Sequence, residues 1–406
     1  MIVRTKSRTG SATAVSASDA RQSRWALAAL AFGAFVVGVA ELAVVGLLNL
    51  VARDLGVSVS TAGALVTSYA LGIAIGAPLL TVATTRFGRR SLLLGAVAAF
   101  VAGNVLVALS AGLGPLVVAR VVTGSLHGLF VGVATVIAAR VVTAERRGQA
   151  ISLVFGGIMV STLVGAPLGN VIGRALGWRA AFVAVAILGV VALAALLCVP
   201  RVPQDGVGRF REQATAALAP RVLGTLGVGL LLIGGQFTAF TYLVTFFDDV
   251  TGLPDSLDSV FLLIFGAAAV AGTVLGGRLA DRGPLGAMIV AAVVLVIALV
   301  GLFVVGSSPW LTPVALVVWG TAGFAIVPPY QLRVISSAGA GSDLAATLGA
   351  SAVNAGIALG ALIGGATLAG PGARAIAVVA AIICALALPA LVLLRAADRR
   401  AARRIA

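Results

Sequence analysis

The sequence predicts an all-α polytopic membrane protein with twelve membrane-spanning helices arranged as two repeats of six. The first observation is composition: the 406 residues are 60% hydrophobic and only 10% charged, with a mean hydropathy of +1.15, whereas a soluble domain carries about 25% charged residues. The second is that apolar runs of about 20 residues, enough to cross a bilayer core of about 30 Å, recur along the whole chain. Because these runs are continuous rather than alternating, they exclude a β-barrel.

The third observation is an internal duplication. Arg86 corresponds to Arg282 at an offset of 196 residues, and Gly165 corresponds to Gly360 at an offset of 195. Two separate stretches therefore give nearly the same offset, close to half the chain length. Parallel repeats related by an axis along the membrane normal are one known way of building a membrane transporter.

The apolar runs set the predicted organisation of the chain. Residues 1–24 are polar and are predicted to be a disordered cytoplasmic tail, and 397–406 a basic cytoplasmic tail. Residues 25–199 and 221–396 each form a six-helix bundle, and the polar segment 200–220 links them. The twelve predicted spans are 25–50, 60–84, 91–110, 113–140, 149–173, 178–199, 221–247, 257–280, 285–306, 311–335, 343–368 and 373–395.

The net charge of +15 would suggest nucleic-acid binding in a soluble protein. Here the arginines cluster in alternate loops, for example at 86–90, 140–147 and 201–221. This is the positive-inside bias, which places both termini in the cytoplasm and makes the lipid bilayer, not nucleic acid, the partner. A single lysine among many arginines and alanines suggests a GC-rich bacterium, so we expect a bacterial cytoplasmic membrane.

The first span carries Glu41, the only acid well inside an apolar run. An ionisable group in a membrane helix is costly and by default indicates a functional site. At about 1.5 Å per residue, Glu41 lies in the outer half of the membrane. The alternative is that Glu41 reaches water and only marks the end of the helix.

The fourth span carries Arg120 and His127, seven residues apart and therefore on one helix face. A buried arginine needs a carboxylate or carbonyl partner, and Glu41 is the obvious candidate. Burial favours the protonated form of a carboxyl group, whereas a neighbouring arginine favours the ionised form. A small structural change could then switch which form prevails, as a proton site requires. His127, the only histidine, is a candidate relay because imidazole titrates near neutral pH, or it simply bonds a neighbouring helix.

The fifth span contains a stripe of small residues at four-residue spacing: Gly157, Ser161, Gly165 and Gly169, with Pro167 among them. Small residues on one face allow two membrane helices to approach closely. Proline removes one helical hydrogen bond and favours a kink. Ordinary tight packing is the alternative interpretation of this stripe.

The second half has no charge deep in a span and offers hydrogen-bonding groups instead. Such groups line mostly apolar ligand cavities, although each one alone is more often a contact between helices. The candidates for substrate contact are Gln236, Thr238, Tyr242, Gln331 and Asn354.

At these residues the chain resembles the major facilitator superfamily, in particular its twelve-span drug:proton antiporters, over almost its whole length. The loop after the second span and its copy in the second half fit the superfamily signature at Arg86, Gly88, Arg89, Arg90, Asp281 and Arg282. Thr85 stands where the first-half signature has an aspartate. Arg120 to Gly124 fits the arginine motif of the fourth span, and 165–169 fits the antiporter motif of the fifth.

The resemblance implies the major facilitator fold, in which two bundles rock about a central cavity and protons enter as substrate leaves. It implies that Glu41, Arg120 and His127 handle the proton and that the signature loops gate the cytoplasmic side. In the family the signature aspartate helps to latch the bundles, and Thr85 cannot carry that charge.

The leading hypothesis is therefore a monomeric, proton-driven exporter of small hydrophobic drugs or natural products, such as chloramphenicol. Export of a sugar or metabolite, uptake by symport, and a membrane sensor that transports nothing are alternatives with the same fold. An enzyme is disfavoured, because one histidine and two distant cysteines offer neither a metal site nor a nucleophile with its base. No cofactor is expected, and no phosphate-binding loop for ATP is present, so the proton gradient would supply the energy.

Overall fold

A computed structural model of the chain describes residues 17–84, 86–143, 146–202, 218–339 and 342–405. The regular elements of this described part are all helices, and twelve of them are long and apolar enough to cross a membrane. The predicted fold class is thus confirmed. The spans, numbered in chain order, are α1 (Arg21–Leu55), α2 (Val59–Ala83), α3 (Arg89–Leu109), α4 (Leu113–Arg140), α5 (Arg147–Leu176), α6 (Trp178–Leu196), α7 (Pro220–Phe240), α8 (Asp255–Ala280), α9 (Pro284–Val305), α10 (Thr312–Ala338), α11 (Leu344–Ala369) and α12 (Ala373–Arg400).

The predicted disorder of the N-terminal tail is wrong for residues 17–24. The helix that contains α1 begins at Ala17, because extending an existing helix adds a hydrogen bond per residue without a new nucleation cost. At the other end, the helix of α12 continues to Ile405 and includes most of the predicted basic tail. Residues 1–16, residues 203–217 of the predicted linker, and Thr85 lie outside the described residues.

The helices of the two halves pair in the same order. In the first half α1 packs on α5, α2 on α4, and α3 on α6; in the second half α7 packs on α11, α8 on α10, and α9 on α12. Each pair in the second half is the corresponding first-half pair six helices later. The structure thus reproduces the duplication that the sequence offsets indicate.

Glycines allow close approach in one helix pair of each half, α1 with α5 and α7 with α11. A Cβ at Gly157 of α5 would collide with the backbone of Ala31 in α1, and a Cβ at Gly360 of α11 would collide with the backbone of Gly234 in α7. Because lipid tails are as apolar as the side chains, membrane helices associate through van der Waals packing, which close contact between backbones increases. The four-residue stripe therefore has the same structural role in both halves.

Short irregular segments interrupt the regular α-helices. A 3-10 turn at Val44–Leu47 lies within α1, and π turns lie at Gly72–Gly76 within α2 and at Phe247–Thr251 after α7. The helix of α10 is divided at Ile326, just before two consecutive prolines. Such departures often occur at functional sites, and the turn in α1 begins three residues after Glu41.

The loops lie at two sides of the molecule. Ser23 Oγ donates to Val141 O at 2.8 Å, which joins the start of α1 to the loop between α4 and α5. We call this the terminal side, because an even number of spans returns the chain to the side where it began. On the opposite, far side, Arg179 Nη1 donates to Asp54 Oδ2 at 2.5 Å and joins the start of α6 to the end of α1.

Polar side chains connect the two halves at the far side. Asn49 of α1 donates through Nδ2 to Asp248 Oδ2 at 2.6 Å and accepts from Thr245 Oγ1 at 2.7 Å. Thr245 and Asp248 follow α7, so these bonds join corresponding helices of the two halves.

A second group connects α5 to α8. Arg174 forms ion pairs with both Asp255 and Asp258, and Asp258 is completely buried. Ser259 Oγ donates to Asn170 Oδ1 at 2.8 Å. We call these two groups together the far-side bridge, which closes the far side of the molecule by direct contacts between the halves.

Gly157→Ala is expected to lower the midpoint of thermal unfolding of the purified protein in detergent. The added methyl group would collide with the backbone of Ala31 and Phe35, and overpacking of this kind costs about 1–3 kcal/mol. Gly156→Ala is the matched control, because open space surrounds that position and alanine is favoured over glycine in a helix by about 0.5–1 kcal/mol. Equal midpoints for the two variants would contradict the assigned contact.

Candidate functional site

The candidate site is a buried polar cluster in the first half, formed by Glu41 of α1, Tyr69 of α2, and Arg120 and His127 of α4. Arg120 and Tyr69 are 1% exposed and His127 is 5% exposed. The Glu41 side chain retains 20% exposure. The structure therefore brings together the three residues that the sequence predicted for proton coupling, and it adds Tyr69.

Arg120 is held mainly by the backbone of neighbouring helices. Its Nη1 donates to Ala40 O at 2.8 Å and its Nε to Leu65 O at 3.2 Å. The guanidinium carbon lies 3.9 Å from the centre of the Tyr69 ring, a cation–π contact. Nη2 is buried and has no hydrogen-bond partner.

The expected ion pair between Arg120 and Glu41 does not form within 4.0 Å among the described residues. Two backbone carbonyls take the guanidinium donors instead, and one of them belongs to Ala40, the residue before Glu41. The Glu41 carboxylate lies 3.6 Å from His127 Nδ1. Arg120 and Glu41 thus lie in one cluster, as expected, but carbonyl groups and not the Glu41 carboxylate accept from the arginine.

His127 and Tyr69 are within hydrogen-bond distance, and the direction of this bond depends on the tautomer of the imidazole. Tyr69 Oη lies 3.0 Å from His127 Nδ1 and 3.1 Å from Val37 O. A hydroxyl has a single hydrogen, so when Tyr69 donates to the Val37 carbonyl, His127 donates from Nδ1. In this tautomer the imidazole N–H faces both the Tyr69 oxygen and the Glu41 carboxylate, and the other ring nitrogen is left as the acceptor.

Tyr69 was not among the site residues predicted from the sequence. The available signal was a tyrosine inside an apolar span, since a buried hydroxyl usually requires a hydrogen-bond partner. Gly124 explains how α2 reaches the site: a Cβ there would collide with the Tyr69 backbone. The glycine four residues after Arg120 thus allows α2 and α4 to approach closely.

The cluster opens onto a narrow cavity between the two halves. Glu41, Tyr69 and Arg120 line one wall, and Phe237 and Ile357 of the second half line the other. The cavity volume is about 10 Å³, roughly the room that one water molecule needs and far below the roughly 300–1,000 Å³ of typical ligand pockets. In this conformation the halves are closed around the site.

The antiporter stripe of α5 lies against α1. A Cβ at Gly165 would approach Leu42, and a Cβ at Gly169 would collide with the backbone of Ala43. Ser161 is completely buried, and Pro167 lies inside a helix that continues without a break from Arg147 to Leu176. The stripe therefore packs tightly on the helix that carries Glu41.

The three predicted substrate contacts of α7 and its extension are buried and bonded within the second half. Thr238 Oγ1 donates to the carbonyl of its own helix four residues earlier, at 2.9 Å. Tyr242 Oη donates to Ala361 O of α11 at 2.9 Å, and Gln236 Nε2 to Gly323 O of α10 at 3.4 Å. The bonds of Tyr242 and Gln236 join helices, and the three side chains do not line the cavity beside Glu41.

The other two predicted substrate contacts, Gln331 and Asn354, are partly buried. Asn354 Nδ2 donates to Ala350 O at 3.0 Å, and its Oδ1 is buried with no hydrogen-bond partner. Neither residue lines the cavity beside Glu41. Their role in substrate binding stays a prediction.

The predicted gating loops lie at the terminal side. Arg90 Nη2 donates to Leu197 O at 2.7 Å and thereby joins α3 to the end of α6. Arg86 lies 5.1 Å from the Phe87 ring, whereas Asp281 and Arg282 are exposed. Their gating role stays a prediction.

Comparisons with known proteins agree with this architecture. The model of the Major Facilitator Superfamily matches residues 30–350. The inner membrane transport protein YdhP of Escherichia coli K12 is 34% identical over 366 residues, which cover 89% of this chain and 94% of that protein. The chloramphenicol resistance protein of Streptomyces lividans is 32% identical over 344 residues, covering 84% and 88%.

Solved structures give the same fold at low sequence identity. A bacterial homologue of the human lysosomal transporter Spinster, in an inward-facing and unoccupied conformation, aligns with a TM-score of 0.75 and 16% identity, covering 92% of this chain and 97% of that one. A D-xylose–proton symporter aligns with a TM-score of 0.73 and 18% identity, covering 91% and 97%.

The single histidine of the chain allows the hydrogen-bond direction to be measured. We expect ¹⁵N NMR of histidine-labelled protein, purified with a histidine-free tag at mildly alkaline pH, to show the tautomer protonated at Nδ1. Tyr69→Phe keeps the ring beneath Arg120 and removes the hydroxyl, so this variant should give a mixture of tautomers. A wild-type spectrum dominated by the tautomer protonated at Nε2 would contradict donation from Nδ1.

Proposed function

The chain belongs to the Major Facilitator Superfamily of membrane transporters, and we propose that it is a proton-coupled exporter of small, largely apolar compounds. The observation that carries the proposal is the buried cluster of Glu41, His127 and Arg120 at the cavity between the halves. A carboxyl group in a membrane span is the usual proton carrier of such proteins. Protons are thus proposed as the coupling ion, with no other cofactor.

The charge of the cluster explains how a proton and a substrate could alternate. With Glu41 ionised, its charge balances that of Arg120 across the cavity. With Glu41 protonated, the site carries one uncompensated positive charge, and desolvation makes that charge costly. A neutral substrate that fills the cavity removes water and raises this cost. Substrate binding and protonation of Glu41 therefore oppose each other.

His127 has a positioning role in this proposal. Its Nδ1–H lies 3.6 Å from a Glu41 oxygen and is also held by Tyr69. A slight movement of α1 would convert this distance into a hydrogen bond to the carboxylate. The 3-10 turn at Val44–Leu47 provides a local irregularity in α1 at which such a movement could occur.

The choice of export and of apolar substrates has two supports. The stripe on α5 resembles the antiporter motif of the family, and a chloramphenicol resistance protein is among the relatives. The second-half wall of the cavity consists of Phe237 and Ile357, which suit an apolar surface.

Glu41→Gln is expected to abolish substrate-dependent proton movement. In energised inside-out vesicles with a quenched pH-sensitive dye, a substrate such as chloramphenicol should restore fluorescence with the wild-type protein. The variant should match vesicles that lack the protein, because an amide cannot carry the proton. Asp249→Asn is the matched control, since Asp249 is an exposed acid at the far side, and it should retain wild-type flux.

Full flux in Glu41→Gln, with the protein present in the membrane at wild-type amounts, would remove Glu41 from the mechanism. Fluorescence recovery with sugars alone would favour the metabolite exporter. Substrate accumulation driven in the opposite direction would establish symport.

A further inference from the structure

We propose that Arg120 binds the substrate directly, and that the substrates are neutral compounds with a strong hydrogen-bond acceptor rather than lipophilic cations. This inference rests on the proposed transport function, because it names the substrate class of the same site. It assigns Arg120 a binding role in addition to its electrostatic effect on Glu41.

The first observation is the donor that Arg120 leaves unused. Nε and Nη1 are bonded to the carbonyls of Leu65 and Ala40, whereas Nη2 is buried and has no partner. A buried charged donor without a partner is unfavourable, and most such groups in proteins are satisfied. An arginine that is 1% exposed and still has an unused N–H edge is therefore ready for an acceptor from outside the chain.

The second observation is that this edge is rigidly placed. Two carbonyls from two different helices fix the plane of the guanidinium, and the Tyr69 ring covers one of its faces. Preorganised donors lose little entropy when a ligand binds. Arg120 also lines the cavity between the halves, so an acceptor group placed in this cavity can approach the guanidinium group.

The third observation is the balance of charge and polarity around the cavity. Glu41 and Arg120 are the charged residues of the lining, and His127 contacts Glu41 from behind. The net charge of this pair is zero or positive in either protonation state of Glu41, so the site offers a cation no net attraction. The remaining lining residues are all apolar: Leu42, Val45, Val66, Ala70, Phe237 and Ile357, together with the Tyr69 ring.

These features define the occupant by its chemistry. When the halves separate, an apolar body would pack against Phe237 and Ile357, and one carbonyl or nitro oxygen would accept from Arg120. A lipophilic cation provides no acceptor and would face the guanidinium charge directly. A trapped water molecule is the competing occupant, and it would give the site no preference among ligands.

The test uses benzophenone as a photoprobe on the purified full-length protein. After irradiation and proteolysis, mass spectrometry should locate its cross-links on residues that line the cavity, such as Val45 or Ile357. Three competitors then separate the effect of the acceptor from that of charge. 9-Fluorenone has the carbonyl acceptor, fluorene has a methylene group in its place, and tetraphenylphosphonium is a lipophilic cation. We expect 9-fluorenone to compete about tenfold or more better than fluorene, the effect of one hydrogen bond to a charged donor, and tetraphenylphosphonium not to compete.

Arg120→Lys keeps the positive charge and removes the planar fork of donors. The preference for 9-fluorenone over fluorene should then shrink, and benzophenone labelling should weaken with it, because both ketones lose the same hydrogen bond to the guanidinium. Because the wild-type comparison needs no variant, a failure of Arg120→Lys to fold leaves the test intact.

Equal competition by the two fluorenes, cross-links away from the cavity, or stronger competition by tetraphenylphosphonium would each overturn the inference. The outcome is separate from that of the proton flux assay. Coupled flux without an acceptor preference would remove only the binding role of Arg120. An acceptor preference without proton flux would remove the coupling and retain the binding site.

Discussion

The first half of this protein depends on the burial of one guanidinium group. Moving the Arg120 charge out of water is costly unless its donors are bonded, and the bonds come from backbone carbonyls of α1 and α2. Such carbonyls cannot move away without distorting their helices. Arg120 therefore fixes α1, α2 and α4 to one another, and Gly124 supplies the close approach that this arrangement needs.

The two halves share a framework and differ in what it carries. Glycine contacts join α1 to α5 and α7 to α11 in the same way. Where the first half buries Arg120 and His127, the second half buries aromatic rings: Phe265 lies 4.9 Å from Phe240 and 4.8 Å from Trp319, centre to centre. Duplication thus preserved the helix packing, while the buried side chains diverged into a polar cluster in the first half and an aromatic cluster in the second.

The fold and the location of the site were predictable because each follows from local pattern. Apolar runs of sufficient length define the spans, and the seven-residue spacing of Arg120 and His127 places them on one face. The partner of Arg120 was not predictable in this way. A carbonyl partner was expected as well as a carboxylate one, but every residue has a backbone carbonyl, so the sequence singles out only the acid, Glu41.

Long-range contacts are the second feature that could not be predicted from the sequence. Asn49 and Asp248 are 199 residues apart, and Arg174 and Asp258 are 84 apart. Each of these residues lies near the end of a predicted span, where a polar residue requires no explanation. Only the packing of the two halves shows that they meet. Tyr69 was missed for a related reason, because its ring suits an apolar span and only its hydroxyl has a specific role.

The polar composition of the far-side bridge has a consequence for the energetics of conformational change. An apolar seal would expose its surface to water on opening, at about 25 cal/mol for each Å². Asn49, Asp248, Arg174 and Asp255 would instead exchange protein partners for water, and a typical hydrogen bond contributes only about 0.5–1.5 kcal/mol net. Open and closed forms of this side can therefore have similar free energies, so that a small ligand-dependent difference is enough to shift the population from one to the other.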